Sequence, residues 1–270
     1  MEQLRSGRFA TRDTSPNGIL RVLDWNIDRG YDLPGISNAI EGQRPDLVIL
    51  QEVDLNARRT HRADIAAELA RRLKLDYVFA PEFQELSQGS SDDPAYHGQA
   101  ILTSLPVLRS RMIRFQHQSG FWQPRPYVPS WALFQRRLGG RIALVSELQY
   151  HARTLVVYNL HLESRSAGAI QLAQLDEVLK DSGQYPKETP IVIAGDLNTK
   201  YRACTKAVME RLRAAGFENA TGDRTPRTHV IVGSLDYIFA RGPLRIGDGE
   251  VRRDIHKSDH YPVSAQLTIH

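Results

Sequence analysis

The chain has 270 residues, 35 Lys and Arg against 31 Asp and Glu, a formal net charge of +4, 41% apolar residues and a single cysteine, Cys204. That apolar fraction, with 14 Pro and 19 Gly spread along the chain, excludes a disordered or collagen-like protein. One cysteine excludes a disulfide framework and a Cys-rich zinc or iron-sulfur site. The nearly balanced charge, without any basic tract, excludes a protein that coats nucleic acid but is compatible with a polyanionic partner.

Residues 1–18 are polar, end in Pro16, Asn17 and Gly18, and read as a flexible N-terminal arm. From residue 19 to residue 270 no linker, repeat or low-complexity segment intervenes, which predicts one domain. Short apolar runs predict strands over residues 20–25, 46–50, 76–80, 100–103, 141–148, 154–160, 190–194, 234–240 and 261–269. The clearest helix signal is HRADIAAELARRLKLD. Ile65, Leu69 and Leu73 fall at helical spacing, with Asp64 and Glu68 early and arginines late, as the helix dipole prefers. Further helices are expected over residues 37–43, 167–179 and 205–215, the last closed by Gly216. Residues 141–148 and 154–160 flank His151, Ala152 and Arg153 and predict an antiparallel hairpin. Strands alternating with helices, plus hairpins, imply an α/β protein with mixed sheets. Residues 115–131 (FQHQSGFWQPRPYVPSW) have no periodicity and read as a long loop, either functional or a surface flap packed on its own side chains. No apolar run reaches bilayer length, and the N-terminal stretch has no secretory apolar core. The expectation is a soluble, cytoplasmic, monomeric protein without stable membrane insertion.

Several of the predicted strands end in polar residues of one kind. VLDWNID delivers Asn26, DLVILQEVD Glu52, LVVYNLHLES His161, IVIAGDLNT Asp196 and Asn198, SLDYIF Asp236, and KSDHYPV Asp259 and His260. Any one of these is ordinarily a turn former, a helix cap or a satisfied histidine. Their recurrence along the chain points to a shared site. Hard oxygen donors (Glu52, Asn26, Asn198, Asp196 and Asp259) suit Mg²⁺ or Mn²⁺, whereas no thiolate cluster or closely spaced His pair is present for zinc. Such an ion polarises a phosphoryl oxygen. Nearby histidines can donate to the non-bridging oxygens, with a carboxylate such as Asp236 fixing the tautomer and raising the pKa of one of them. The set is what a metal-assisted phosphoester hydrolase needs.

In chain order, WN, QE, GQAIL (residues 98–102), NLHLES, GDLN, LDYIF and SDH resemble the motifs of the endonuclease/exonuclease/phosphatase (DNase I-like) superfamily from about residue 19 to residue 267. The resemblance implies a four-layer α/β sandwich, with two mixed β-sheets flanked by helices, in a single catalytic domain over residues 19–270. It also implies roles. Glu52 would be the main ligand of Mg²⁺ (or Mn²⁺), with Asn26 beside it and Asp259 close by. Asp196, assisted by Asn198, would orient or deprotonate the attacking water. His260, paired with Asp236, would stabilise the transition state, and His161 would be a second phosphate-facing donor. Whether Asp196 or the His260 and Asp236 pair is the base stays open.

Arg165 and His229 are the candidates for contact with substrate, while Arg58, Arg59 and His61 either line the same rim or, the preferred reading, form the polar approach to the helix that starts near Asp64. The AP endonuclease branch carries a tyrosine where this chain has His161 and a basic residue where it has Asp54, a carboxylate that would repel a nucleic-acid phosphate. WNID together with HLES resembles the tyrosyl-DNA phosphodiesterase branch. Phe121, Trp122 and Tyr127 are the residues available for a lipid interface. The expected function is a metal-dependent phosphodiesterase or nuclease acting on a nucleic-acid or nucleotide-like substrate. The alternative is a phosphatase or phospholipase-type phosphodiesterase acting on a small phosphorylated or lipid headgroup substrate. A catalytically silent binding module ranks last, because every matched position holds a competent residue.

Overall fold

The computed structural model describes residues 3–11, 18–124, 133–224 and 226–269. Two mixed sheets lie face to face. The first runs, in spatial order, β1 (Arg5–Gly7), β4 (Asp76–Glu85), β5 (Tyr96–Thr103), β3 (Leu47–Leu55), β2 (Ile19–Arg29), β15 (Val263–Ile269) and β13 (Leu244–Ile246), with β14 (Glu250–Val251) on β15 and β7 (Arg137–Gly139) on β4. The second runs β11 (Glu218–Asn219), β12 (Asp236–Arg241), β10 (Ile191–Asp196), β9 (Arg153–His161), β8 (Ile142–Tyr150) and β6 (Val107–Arg114). Each sheet has one parallel pair at its heart, β2 with β3 and β9 with β10. The helices α1 (Leu33–Gln43) and α3 (Ala169–Ser182) connect those pairs.

Period-two alternation assigns each strand's side chains to one of two layers. Val22, Ile49, Val78 and Ile101 of the first sheet meet Leu144, Val157, Val192 and Ile238 of the second in the central core. The intervening residues point outward. Leu23, Trp25 and Ile27 pack on Ile36 and Ile40 of α1 and on Ile65 and Leu69 of α2 (Ile65–Leu73). Val156, Tyr158 and Ile193 pack on Leu175 and Val178 of α3 and on Val208 and Leu212 of α4 (Arg202–Ala214). Each such aliphatic side chain stabilises the fold by roughly 1.5–3 kcal/mol on full burial. The result is the four-layer α/β sandwich that the motifs implied.

All nine predicted strands and all four predicted helices are present. The Asp64 side chain caps α2 by accepting from the Ala67 N–H, and Lys74 closes it in the left-handed conformation. α1 begins before the predicted Ser37 because Pro34 lies in its first turn, where the ring costs no hydrogen bond, and Asp32 accepts from Gly35. The β8–β9 hairpin pairs Ala143 with Leu160 through to Tyr150 with Arg153, and His151 takes the left-handed turn position.

The sequence reading missed β6, whose arginine-rich VLRSRMIR lies at a sheet edge, where charge is tolerated and alternation is weak. Within the stretch read as a flexible arm, Arg5–Gly7 instead adds an edge strand to β4, with Arg5 opposite Phe79 and Gly7 opposite Tyr77. Among the described residues no helix is long and apolar enough to cross a membrane.

Candidate active site

The register of the second sheet gathers three of the predicted residues. On β10 Asp196 pairs with His161 of β9 on one side and with Asp236 of β12 on the other, so two carboxylates and an imidazole stand level at one strand end. Gly195 permits this. It has φ +139°, and a Cβ there would fall 1.9 Å from the Leu160 carbonyl oxygen of β9. The first sheet supplies the opposing wall through a bulge. Register shifts between Asn26 and Arg29 and between Leu50 and Val53 leave Glu52 at φ 53°. That left-handed conformation is unfavourable for a glutamate and re-aims its carboxylate. Asn198 has φ 50°. Non-glycine residues held this way cluster at functional sites.

Asp196 is the focus of the donors. Its Oδ2 lies 3.3 Å from Asn26 Nδ2, 3.6 Å from His161 Nε2 and 3.9 Å from His260 Nε2, while Oδ1 accepts from the Asn198 N–H at 2.9 Å. The Asn198 side chain donates to the Leu162 carbonyl at 3.0 Å and is fixed there. His260 is held from both ends. Its Nδ1 lies 2.8 Å from Asp236 Oδ2, and its carbonyl accepts from Trp25 Nε1 at 2.9 Å. The hydroxyl of Thr228 accepts the N–H of Asp236 at 3.0 Å. Burial alone would lower the His260 pKa, but the carboxylate of Asp236, aided by Asp196 and Asp259, pushes it up to about 10. The Asp236 carboxylate thus favours the protonated imidazole, while burial pushes the Asp236 carboxyl itself above its usual range.

A second set of residues, which the sequence reading did not find, holds the other side. Glu82 of β4 is fully buried, with Oε2 3.3 Å from Arg141 Nη1 and 3.4 Å from His161 Nδ1. It stands beside His161 as Asp236 stands beside His260, but as a charge contact, because His161 Nδ1 makes no hydrogen bond. Burial would raise the Glu82 pKa, but His161 and Arg141 bring it down to about 2. His97 of β5 links Asp54, 3.1 Å from Nδ1, to Glu52, 4.0 Å from Nε2. Glu52 also faces Arg29 Nη1 at 3.2 Å. Despite desolvation, Arg29, His97 and His161 hold its carboxyl well below the usual range.

The signal for these residues was present but weak. Glu82 interrupts the buried run DYVFAPEFQE, and His97 and Gln99 share one face of YHGQAILT. Gln99 Nε2 in turn donates to Glu82 Oε1 at 3.0 Å.

Asp54 and Arg59 correct the sequence reading. Asp54 does not face a substrate phosphate; it is buried and binds Arg59 through two contacts of 2.6 and 2.7 Å. Arg59 is not merely the approach to α2, because it turns back from a 3₁₀ turn (Arg58–Thr60) to bridge Asp54 and Glu85. His229 is brought to the site. Its Nδ1 accepts from the N–H groups of Ile231 and Val232, its Nε2 lies 3.7 Å from Asp259 Oδ2, and its ring packs edge-on to His260 with centroids 4.7 Å apart. Burial and the nearby His260 depress its pKa. Arg165 lies farther out, over the ring of Phe121 at 4.2 Å. Of the long loop, Phe121 and Trp122 pack on each other and Trp122 on Phe83, whereas Tyr127 and Trp131 lie outside the described residues.

Acidic and histidine groups at this end could hold a metal ion. Asp28, beside Asn26, is pushed above the usual carboxylate range by burial and, although Arg29 opposes it, by the charges of Asp259 and Glu52. Such crowding of carboxylates is what a divalent ion relieves. Ser258 joins the two sides by donating to the Asn26 carbonyl at 2.7 Å and to Asp259 Oδ1 at 3.2 Å. Among the described residues the groups that bring three ligand atoms within 4.8 Å of one another are His229 with Asp259 and His260, and Asp196 with Asp236 and His260, and the predicted main ligand Glu52 is in neither.

Two facing mixed sheets with clustered acids and histidines at one end define a phosphoesterase-type fold. Residues 25–260 match the Endonuclease/Exonuclease/phosphatase family, and the chain belongs to it. Solved structures share the fold. An endonuclease/exonuclease/phosphatase from Beutenbergia cavernae superposes with a TM-score of 0.70 at 20% identity, covering 93% of this chain and 72% of that one. The human Nocturnin catalytic domain with bound sulfate anion gives 0.67 at 18% identity, covering 99% and 97%. A humanized D. rerio TDP2 gives 0.64 at 19% identity, covering 93% and 99%. A UPF0294 protein of Vibrio campbellii is 31% identical over 133 residues, 47% of this chain and 45% of that protein. A second, from Vibrio vulnificus, is 31% identical over 117 residues and covered to 40%. The chain thus spans less than half the length of these curated relatives.

Proposed function

We propose that the protein is a Mg²⁺- or Mn²⁺-dependent phosphodiesterase acting on a nucleic-acid or nucleotide-like substrate. The observation that carries this reading is the gathering of Asn26, which donates at 3.3 Å, and the Nε2 atoms of His161 and His260, at 3.6 and 3.9 Å, around one oxygen of Asp196. Acid and base groups gathered at one strand end suit attack by water on a phosphoester. Glu52, Asn26 and Asp259 would hold the metal, with Asp28 beside them. When bound, the ion polarises a phosphoryl oxygen and offsets the charge that develops on it.

The protein's own groups do the rest. Asp196 receives a proton from the attacking water as the new P–O bond forms and the ester P–O bond breaks, and the departing oxygen leaves as an alcohol with a proton drawn from solvent. Asn198 holds Asp196 through its backbone N–H. Cationic His260 donates to a non-bridging oxygen, which favours Asp196 as the base. His161, beside Glu82, donates to another. His229 lies beside His260 and Asp259 at the rim, and Arg165 reaches the outer part of the substrate. The sulfate bound by the Nocturnin domain is a tetrahedral anion of the kind such a site accommodates.

The test is turnover of phosphodiesters with added Mg²⁺ or Mn²⁺, comparing single- and double-stranded DNA, RNA, a 5′-tyrosyl-DNA oligonucleotide, sphingomyelin and inositol phosphates. Asp196→Ala should lose about two to four powers of ten in kcat, and EDTA should abolish activity until metal is restored. Near-native turnover in Asp196→Ala, or indifference to EDTA, would refute the assignment. Hydrolysis confined to sphingomyelin or inositol phosphates would replace the nucleotide-like substrate with a headgroup.

A further inference from the structure

Next to Glu52 a cavity of ≈ 980 Å³ opens between β4, β7 and the loops after β3 and β9. That volume is at the upper end for small-ligand sites and is far more than a metal ion and one phosphoryl group occupy. Its charge is one-sided. Among the described residues six arginines line it, against the two glutamates Glu52 and Glu85. Glu85 is already neutralised from two directions, by Arg137 Nη2 at 2.7 Å and Arg59 Nη2 at 3.3 Å.

Of the other cations, Arg29 pairs with Glu52 at 3.2 Å and Arg141 with Glu82 at 3.3 Å, and Arg136 and Arg165 are left. Arg165 lies over Phe121 at 4.2 Å and over Trp122 at 5.4 Å, and Arg137 lies between Trp122 at 5.1 Å and Phe83 at 5.2 Å. The rings hold the guanidinium face of Arg165 and leave its N–H edge for a ligand, whereas the edge of Arg137 is taken by Glu85. Neither Arg165 nor Arg136 has a carboxylate partner among the described residues. Deeper in, Arg141 is 4% exposed, lines the cavity, and has an Nε with no hydrogen-bond partner. A buried guanidinium N–H without an acceptor is costly unless an anion supplies one.

We propose that this cavity is a subsite for a second phosphate group of the substrate, so that the ester cleaved at Asp196 belongs to a molecule carrying at least two phosphates. The inference rests on the phosphodiesterase reading for the word substrate, but the anion site stands on its own geometry. Arg136, Arg165 and Arg141 hold the phosphate by the forked contacts that guanidinium makes with it. Trp122 and Phe121 fix Arg165. A nucleotide and a phosphorylated polyol share this chemistry, and the experiment separates them.

The probe is inorganic pyrophosphate, titrated calorimetrically into the full chain in EDTA at low salt. The native protein is compared with an Arg136→Gln/Arg165→Gln double variant whose melting temperature is checked against it. Saturable binding is expected, weakened by added NaCl and by about tenfold or more in the variant, the worth of one lost charge-assisted hydrogen bond or more. Absence of saturable binding, or equal affinity in a folded variant, would overturn the proposal.

Displacement of pyrophosphate by thymidine 3′,5′-bisphosphate but not by inositol 1,4-bisphosphate would assign the second phosphate to a nucleotide. The reverse would assign it to a polyol, and displacement by neither would count against the subsite. Because binding is read without metal or turnover, a protein that binds pyrophosphate as expected but hydrolyses no phosphoester would sink the phosphodiesterase reading and leave the anion site in place.

Discussion

Two histidines of the site are each backed by a buried carboxylate, His260 by Asp236 at 2.8 Å and His161 by Glu82 at 3.4 Å. For His260 the carboxylate favours the charged imidazole, and for Glu82 the contact has a measurable consequence for stability. The Glu82 carboxyl titrates at about 2 in the fold, below its usual value, because His161 and Arg141 outweigh its burial. A depressed carboxylate stabilises the fold fully above its unfolded pKa of about 4.3 and loses that contribution as pH falls through the folded value near 2. Its share is roughly 3 kcal/mol, from about 1.4 kcal/mol per pKa unit. Denaturant unfolding of the metal-free protein between pH 5 and pH 2 should therefore show a smaller loss of stability in Glu82→Gln than in the native chain, and Glu82→Gln should be the less stable of the two at pH 7. Parallel curves would show that Glu82 does not carry this linkage. The sequence reading found His161 and His260 because they end strands in recognisable motifs. It missed Glu82, His97 and Arg59 because each acts through a partner far away in the chain, and only the sheet register brings those partners together.

Strands and helices were legible wherever burial imposed a period. β2, β3, β9 and β10 alternate or run apolar because both faces are covered, and α2 announces itself through Asp64 and its apolar stripe. The short edge strands β1, β7, β11, β13 and β14 bury too little to leave a pattern, so they were invisible. Among the central elements, β10 depends most on one atom. Gly195 has no side chain where a Cβ would stand 1.9 Å from the Leu160 carbonyl oxygen, and its φ of +139° is open to glycine alone. Gly195→Ala should force β9 and β10 apart immediately beside His161 and Asp196. The expected cost is roughly 2–4 kcal/mol of stability, with a fall in kcat beyond what the lost folded fraction explains. A thermal melt that matches the native protein, with kcat retained, would mean that the two strands need no such approach.

On the scale of the whole molecule the site straddles two sheets. Asn26, Glu52 and His260 come with the first, and His161, Asp196 and Asp236 with the second. An apolar core holds the sheets together but is non-directional and does not fix how one slides over the other. A buried polar chain supplies that direction. Gln51 Nε2 lies 2.8 Å from Asp24 Oδ1 in its own sheet and 2.9 Å from Asn159 Oδ1 in the facing one, and Asn159 Nδ2 donates back to the Leu50 and Ala100 carbonyls at 2.9 Å each. Every one of these residues is buried, so a broken link leaves a donor or acceptor without water, at about 1–3 kcal/mol each. Asn159→Leu and Gln51→Leu should each destabilise the protein. The double variant should lose clearly less than the two single losses combined, by about 1 kcal/mol or more, because the second change removes groups already orphaned by the first. We further propose that residues 19–270 unfold as one unit, with far-UV and tryptophan signals changing together in denaturant. Additive losses in the double variant would mean that the two residues act independently, and separate transitions would mean that each sheet keeps its own half of the site without the other.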